Sequence, residues 1–191
     1  MSQTQEKFIY SEVIKMTLTA AFATRGGRKI YATEKENIRK NIKKEIESKL
    51  VDMSKEYLDP ISEKEQEKRH EENIIELSNS ISEKYGTYLE GNRFRIGIAQ
   101  KALNLFLKYL WCLGKIHEPP HFPIDFIMLG KIPDCSEFQW TKLDSIDDYR
   151  DIIKKQERLQ VNKLYQLGNC MNIVANKSFH LTTDASAEFR R

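Results

Sequence analysis

Glycine and proline are scarce in this chain, with eight Gly and five Pro among 191 residues. A β-sandwich or barrel needs a turn roughly every dozen residues, which this supply does not provide. Three cysteines, at 112, 135 and 170, are odd in number and never within four positions of one another. That spacing excludes both a disulfide framework and a C-x-x-C metal site, and points to a reducing compartment. No stretch approaches the roughly 18 uninterrupted apolar residues of a membrane span. The richest run, Ala102 to Leu113, is interrupted by Asn104 and Lys108. Met1 to Lys7 is polar and has no basic-then-apolar leader pattern. Walker loop, G-x-S-x-G and dinucleotide fingerprint are all missing, as is the Arg-x4-6-His pattern of helical ribonucleases. Nucleotide hydrolysis and serine esterase chemistry therefore have no foundation here. Neither sign of charge dominates. The 31 Lys+Arg and 28 Asp+Glu leave a formal +3, so any preference for an anionic partner depends on where the charges sit.

What is present is helical. With 40% hydrophobic and 31% charged residues, the chain carries enough apolar mass for one core. Ile9, Val13, Met16 and Ala20 recur at helical spacing within 8–23. Thr24 to Lys29 then forms a basic break around two adjacent glycines, with Arg25, Arg28 and Lys29 as its cations. Thr33 and Glu36 have the spacing of a capping box. From Glu34 to Glu72 there are ten Lys/Arg and twelve Asp/Glu, threaded by Ile38, Ile42, Ile46 and Leu50. This predicts an amphipathic helix over 34–58, stopped at Asp59-Pro60, and a second over 62–85. Their mixed charges fit solvated faces laced with i,i+4 pairs. The expected fold is mainly α: one domain over 1–191, a compact bundle around a central apolar helix at about 101–113. A charged helical subdomain at 34–85 is a possible elaboration. A proline-rich loop follows the central helix, since four of the five prolines lie between 119 and 133. Asp144 or Ser145 would then cap a last helix reaching about Val161.

The central segment, 92–115, is the most informative. Between Gly91 and Lys115 stand five basic residues and no acidic one: Arg93, Arg95, Lys101, Lys108 and Lys115. Lys101, Asn104 and Lys108 form a polar line at helical spacing on an otherwise apolar helix. Such a line is either a solvated edge with snorkelling lysine stems or the floor of an anion-binding cleft. Mixed-sign surfaces such as 34–72 are the norm for a solvated edge, and this line carries positive charge alone.

The run Arg95-Ile96-Gly97-Ile98-Ala99-Gln100-Lys101-Ala102-Leu103-Asn104, followed by Pro123-Ile124-Asp125, resembles the helix–hairpin–helix DNA glycosylase superfamily. The likeness covers residues 93–127. It implies that Gly97 is a hairpin glycine, Lys101 a catalytic lysine and Asp125 a catalytic aspartate. Three departures stand out: Ala99 replaces a second hairpin glycine, the Lys-to-Asp gap is lengthened by the proline loop, and no Thr/Ser-His follows Asp125. The implied function is excision of a modified or damaged base from DNA.

The chemistry asked of these residues is physically reasonable. Oxocarbenium charge on a sugar can be stabilised by a buried carboxylate, and Asp125 lies between Ile124 and Phe126. A lysine amine can attack the sugar carbon when burial or a nearby cation depresses its pKa. The bland alternative for Asp125 is a helix cap. Arg93, Arg95, Lys108 and Lys115, with Arg25, Arg28 and Lys29, are the expected phosphate contacts, and the backbone N–H groups around Gly97 a further one. Phe122 and Trp140, outside the greasy helix, are the expected base-stacking rings. No metal or other cofactor is expected: two prolines between His117 and His121 prevent a one-face ligand pair, and Cys112 reads as an ordinary buried thiol. The expected partner is DNA, the expected setting the cytoplasm. The rival reading is a non-enzymatic helical subunit that docks a protein partner through 34–85. The two part on whether Lys101 and Asp125 share one cleft.

Overall fold

A computed structural model describes residues 3–25 and 27–157 of the chain. The expected helix end beyond Glu157, and Cys170, lie outside these residues. The described chain is mainly helical, in the order α1 (Gln3–Phe22), α2 (Glu36–Ser54), α3 (Glu63–Tyr85), α4 (Ile96–Cys112), α5 (Phe126–Leu129) and α6 (Ile146–Glu157). Pairing between extended segments is limited to one bridge among the described residues, Tyr31 with Leu89.

Helix α4 is the axis of the fold. Helices α1, α2, α3 and α6 all pack against it, as does a 3-10 turn at Trp140–Lys142. Its Ile98, Ala99, Ala102, Leu103, Phe106, Leu107 and Leu110 are all fully or almost fully buried. Burying such large side chains stabilises a fold by about 1.5–3 kcal/mol each, and a helix apolar on nearly every side can only be central. Gly114, at φ +66°, ends it in a left-handed turn. The Gly114 N–H donates to the Trp111 carbonyl at 2.8 Å and the Lys115 N–H to the Leu110 carbonyl at 2.9 Å, the double bond of a Schellman cap.

The charged helices join the same core. Ile42, Ile46 and Leu50 of α2 and Ile74, Leu77 and Ile81 of α3 are completely buried in the cluster that contains α4. Their outer faces carry ion pairs such as Lys84–Glu45 at 2.6 Å and Arg69–Glu65 at 2.7 Å. Cap chemistry differs from expectation at α2: the Thr33 hydroxyl accepts from the Lys35 N–H at 3.2 Å, and the helix begins at Glu36 with no side-chain cap. Ser62 Oγ accepts from the Glu65 N–H to start α3, and Ser145 Oγ from the Asp148 N–H to start α6. Cys135 is a free buried thiol. Cys112, by contrast, is half-buried, which corrects the expectation of a buried thiol.

A polar seam crosses the apolar core beside α4. Tyr57 Oη is 2.8 Å from His70 Nδ1, His70 and His121 stack edge to face at 4.8 Å, and His121 Nδ1 is 2.9 Å from Tyr149 Oη. Asn104 donates to Tyr149 Oη at 3.2 Å and to the Phe122 carbonyl at 3.0 Å, while Gln100 donates to the Ile124 carbonyl at 2.7 Å. Two turns of α4 thus hold the proline-rich loop by its backbone. His70 Nε2 and Asn104 Oδ1 lack a hydrogen bond of good geometry, although the Asn104 side chain still favours a charged His70. Burial dominates. It drives the His70 pKa well below the ordinary value, reinforced by His121, and lowers that of His121 to about 4.

Both imidazoles are therefore neutral in the folded state and take up protons on unfolding in acid. Stability is retained above the unfolded pKa of about 6.5 and lost as pH falls toward the folded values. For His121 alone the loss between pH 6.5 and about 4 is on the order of 3 kcal/mol. Urea unfolding across that range should show a steep fall, and His121→Gln should reduce it; an equal fall in the variant would exclude His121 as a source. A separate expectation concerns Gly97, where a Cβ would run into the Trp140 carbonyl oxygen and sit 3.1 Å from Leu143 Cβ. Gly97→Ala should lower stability by about 1–3 kcal/mol, measured as a shift of the urea midpoint without change in slope.

Candidate lysine cleft

The cleft is built where the first turns of α4 meet two loops. Arg95, immediately before α4, is 2% exposed. Its guanidinium donates to the carbonyls of Thr141 at 2.6 Å, Lys29 at 2.7 Å and Glu90 at 3.1 Å, with a longer bond to Arg28 at 3.4 Å. These bonds fix the basic loop on one side and the Trp140–Lys142 turn on the other. Thr141 Oγ1 also accepts from the Arg28 N–H. Between the two walls lies a cavity of about 610 Å³, with Lys101 and Leu105 of α4 on its floor. Arg25, Asp125, Phe126, Ile127, Glu137, Phe138 and Trp140 line its sides and mouth. That volume is in the range of small-molecule sites.

Lys101 and Asp125 share this cleft. Asp125 caps α5: one carboxylate oxygen accepts from the Ile127 and Met128 N–H groups at 3.0 and 3.1 Å. The other lies 3.8 Å from Lys101 Nζ. Asp125 is thus both the cap and the partner of the lysine. At 3.8 Å the pair attracts without a hydrogen bond, and the amine keeps its freedom to shed a proton. Lys101 is 7% exposed, with Nζ 4.1 Å from the centre of the Trp140 ring. Burial pulls its pKa below the ordinary lysine value, Asp125 opposes, and Arg25 adds to the lowering.

The other expected contacts divide. Arg25, at the cavity wall, and Arg28 and Lys29 are exposed. Arg95 is buried and committed to carbonyls, so its assignment to phosphate is corrected. The Gly97 N–H donates to the Leu143 carbonyl and the Ile96 N–H to Asp144, which closes the start of α4 to an anion. Gly97 is there for close packing, not as a hairpin turn. Arg93 is engaged with Asp144 at 3.1 Å and Asn79 at 2.8 Å, and Lys115 with Glu6 at 2.7 Å. Lys108 is 9% exposed; burial lowers its pKa and Asp125 opposes. Asn104 leaves the lysine line for the polar seam.

Phe122 is 4% exposed and belongs to the interior, so it is not a stacking ring; Trp140 does line the cleft. Sequence reasoning passed over Phe126, Ile127 and Phe138. Phe126 and Ile127 had a legible signal: a four-residue helix after a capping Asp cannot bury every apolar side chain of Phe-Ile-Met-Leu. Phe138 had none. Among the described residues no group of three His, Cys, Asp or Glu is placed to hold a metal ion, and no helix is long and apolar enough to cross a membrane. His121, once a conceivable ligand, is bonded to Tyr149. No family model, curated protein or solved structure matches the chain.

Because Asp125 favours the charged form of Lys101 against burial, Asp125→Asn should lower the amine's pKa further. Asparagine retains the cap, so the fold survives. Reductive methylation of Lys101, followed by mass spectrometry against pH, should show its midpoint at lower pH in the variant. A midpoint that rises would mean Asp125 does not act on the amine.

Proposed function

We propose that the chain is a glycosylase-like enzyme that excises a modified or damaged base from nucleic acid through Lys101. The observation that carries this reading is the desolvated Lys101 amine, 3.8 Å from Asp125 and over the Trp140 ring on the floor of a cavity. A lysine with a lowered pKa is the amine that nucleophilic catalysis requires. In the neutral form its lone pair attacks C1′ of the sugar. The glycosidic bond breaks, and its electron pair leaves with the base, which takes a proton from solvent. Asp125 stabilises the positive charge developing on the sugar and takes a proton from the attached nitrogen. The nitrogen lone pair then opens the ring: a C1′=N imine forms, the C1′–O4′ bond breaks, and O4′ is protonated. Water releases the sugar and restores the amine.

Arg25, Arg28 and Lys29, on the loop beside the cavity, are assigned to phosphate. Trp140 forms the wall against which an extruded ring lies.

Borohydride tests the imine directly. With a panel of oligonucleotides carrying modified, damaged or missing bases, wild-type protein should form a permanent crosslink to at least one. Lys101→Ala should abolish it, and Asp125→Asn should cut its rate while leaving affinity intact, because the charge acts at the transition state. Crosslinking by Lys101→Ala at the wild-type rate overturns the nucleophile assignment. A wild type inert across the whole panel overturns the enzyme reading in favour of the non-enzymatic helical subunit.

A further inference from the structure

We infer that the cleft takes its nucleotide from a single strand, with bases stacked on Phe126 and Phe138, and not from a duplex; the inference rests on the nucleic-acid reading above. Three large apolar side chains stand exposed at the cavity mouth: Phe126 at 71%, Ile127 at 48% and Phe138 at 41%. The backbone puts them there. Met128 and Leu129 of α5 turn into the core, which leaves Phe126 and Ile127 on the outer side of a helix one turn long. Phe138 lies in the loop between the buried Cys135 and Trp140, and its N–H closes a turn on the Cys135 carbonyl at 3.0 Å. Exposed apolar groups clustered at one cavity mark a binding surface. Phe138 also lines a second hollow of about 390 Å³ together with Lys142 and Asp148.

Charge argues in the same direction. Duplex binding without base contacts needs many phosphate contacts, and here Arg93, Arg95, Lys108 and Lys115 are paired or buried. Exposed near the cleft are Arg25, which lines it along with Glu137, Lys142, which lines the hollow beside Phe138 together with Asp148, and Arg28 and Lys29 further along the basic loop. A few cations beside exposed aromatic rings suit an unpaired strand, for which stacking supplies much of the affinity and tolerates any base. A single strand also delivers its nucleotide already unpaired, so no base pair has to be broken to fill the cavity.

The test is fluorescence anisotropy with wild-type protein and a short labelled oligothymidylate, alone and annealed to its complement. The single strand should bind at least about tenfold more tightly, with a shallow salt dependence. Phe126→Ala and Phe138→Ala, both at exposed positions that leave the core intact, should each weaken it by roughly 5- to 100-fold. Equal or tighter duplex binding, or unchanged affinity in both variants, overturns the inference. So does the absence of strand binding, including the case in which Phe126→Ala instead dissolves a self-associated form, which would assign the patch to a second copy of the chain. The two readings fail separately. Lys101-dependent borohydride trapping of a small aldehyde without strand binding leaves the lysine chemistry standing alone. Strand binding with no trapping on any substrate leaves the binding surface standing alone.

Discussion

The guanidinium of Arg95 is the fastening on which the cleft depends. A buried cation is costly unless its donors are filled, and here the partners are four backbone carbonyls from three separate segments. Hydrogen bonds to a charged group contribute about 1.5–3 kcal/mol each, enough to offset desolvation and leave a net cross-link. Asp144 and Glu90 lie close enough to favour the charge, while burial and Arg28 oppose it. Removal of the side chain would strand carbonyls of the basic loop and of the Trp140–Lys142 turn. Both walls of the cleft would loosen together, although Arg95 touches nothing inside it.

The chemistry of the cleft follows from an imbalance of similar kind. Lys101 is drawn toward its charged form by Asp125 and by the Trp140 face, and toward its neutral form by burial and by Arg25. The separation of 3.8 Å from Asp125 matters in this balance. A tight ion pair would hold the proton on the amine, whereas a carboxylate just beyond hydrogen-bonding reach leaves burial dominant. The second oxygen of Asp125 is fixed by two backbone N–H groups of α5, so the carboxylate cannot swing in to close the gap without giving up its role as a cap.

Much of the fold was legible because hydrophobic periodicity is a local signal. The i,i+4 isoleucines of α2, the resumed helical pattern from Ser62 and the near-continuous apolar circumference of α4 each specify their structure within one or two turns. The pairing of Lys101 with Asp125 was legible only through a resemblance, since nothing in spacing alone predicts that a proline-rich loop returns to the start of α4. The reason for that return is Gln100 and Asn104, whose side chains hold the loop carbonyls. Asn104 was read as part of a lysine line because 101, 104 and 108 fall on a broad face. In the folded chain that face is split, with the lysines on the cleft side and Asn104 on the side of Tyr149. Long-range commitments of arginine were equally invisible. A cation with no acidic neighbour in sequence looks free, yet Arg95 is satisfied by carbonyls, and Arg93 and Lys115 by carboxylates and an amide more than ten residues away.

The polar seam and the cleft sit on adjacent sides of α4 and share one support, the proline-rich loop. Gln100 holds the Ile124 carbonyl and accepts from the Ile124 N–H, one residue before Asp125. The position of the Asp125 carboxylate is therefore set by a buried amide on the same helix that carries Lys101, one residue earlier. Helix geometry then fixes the two partners relative to each other: Lys101 through its own backbone, and Asp125 through the Gln100 clasp and the cap of α5. A shift of α4 would carry both together. The distance between amine and carboxylate is thus tied to one helix and the loop that its own side chains hold.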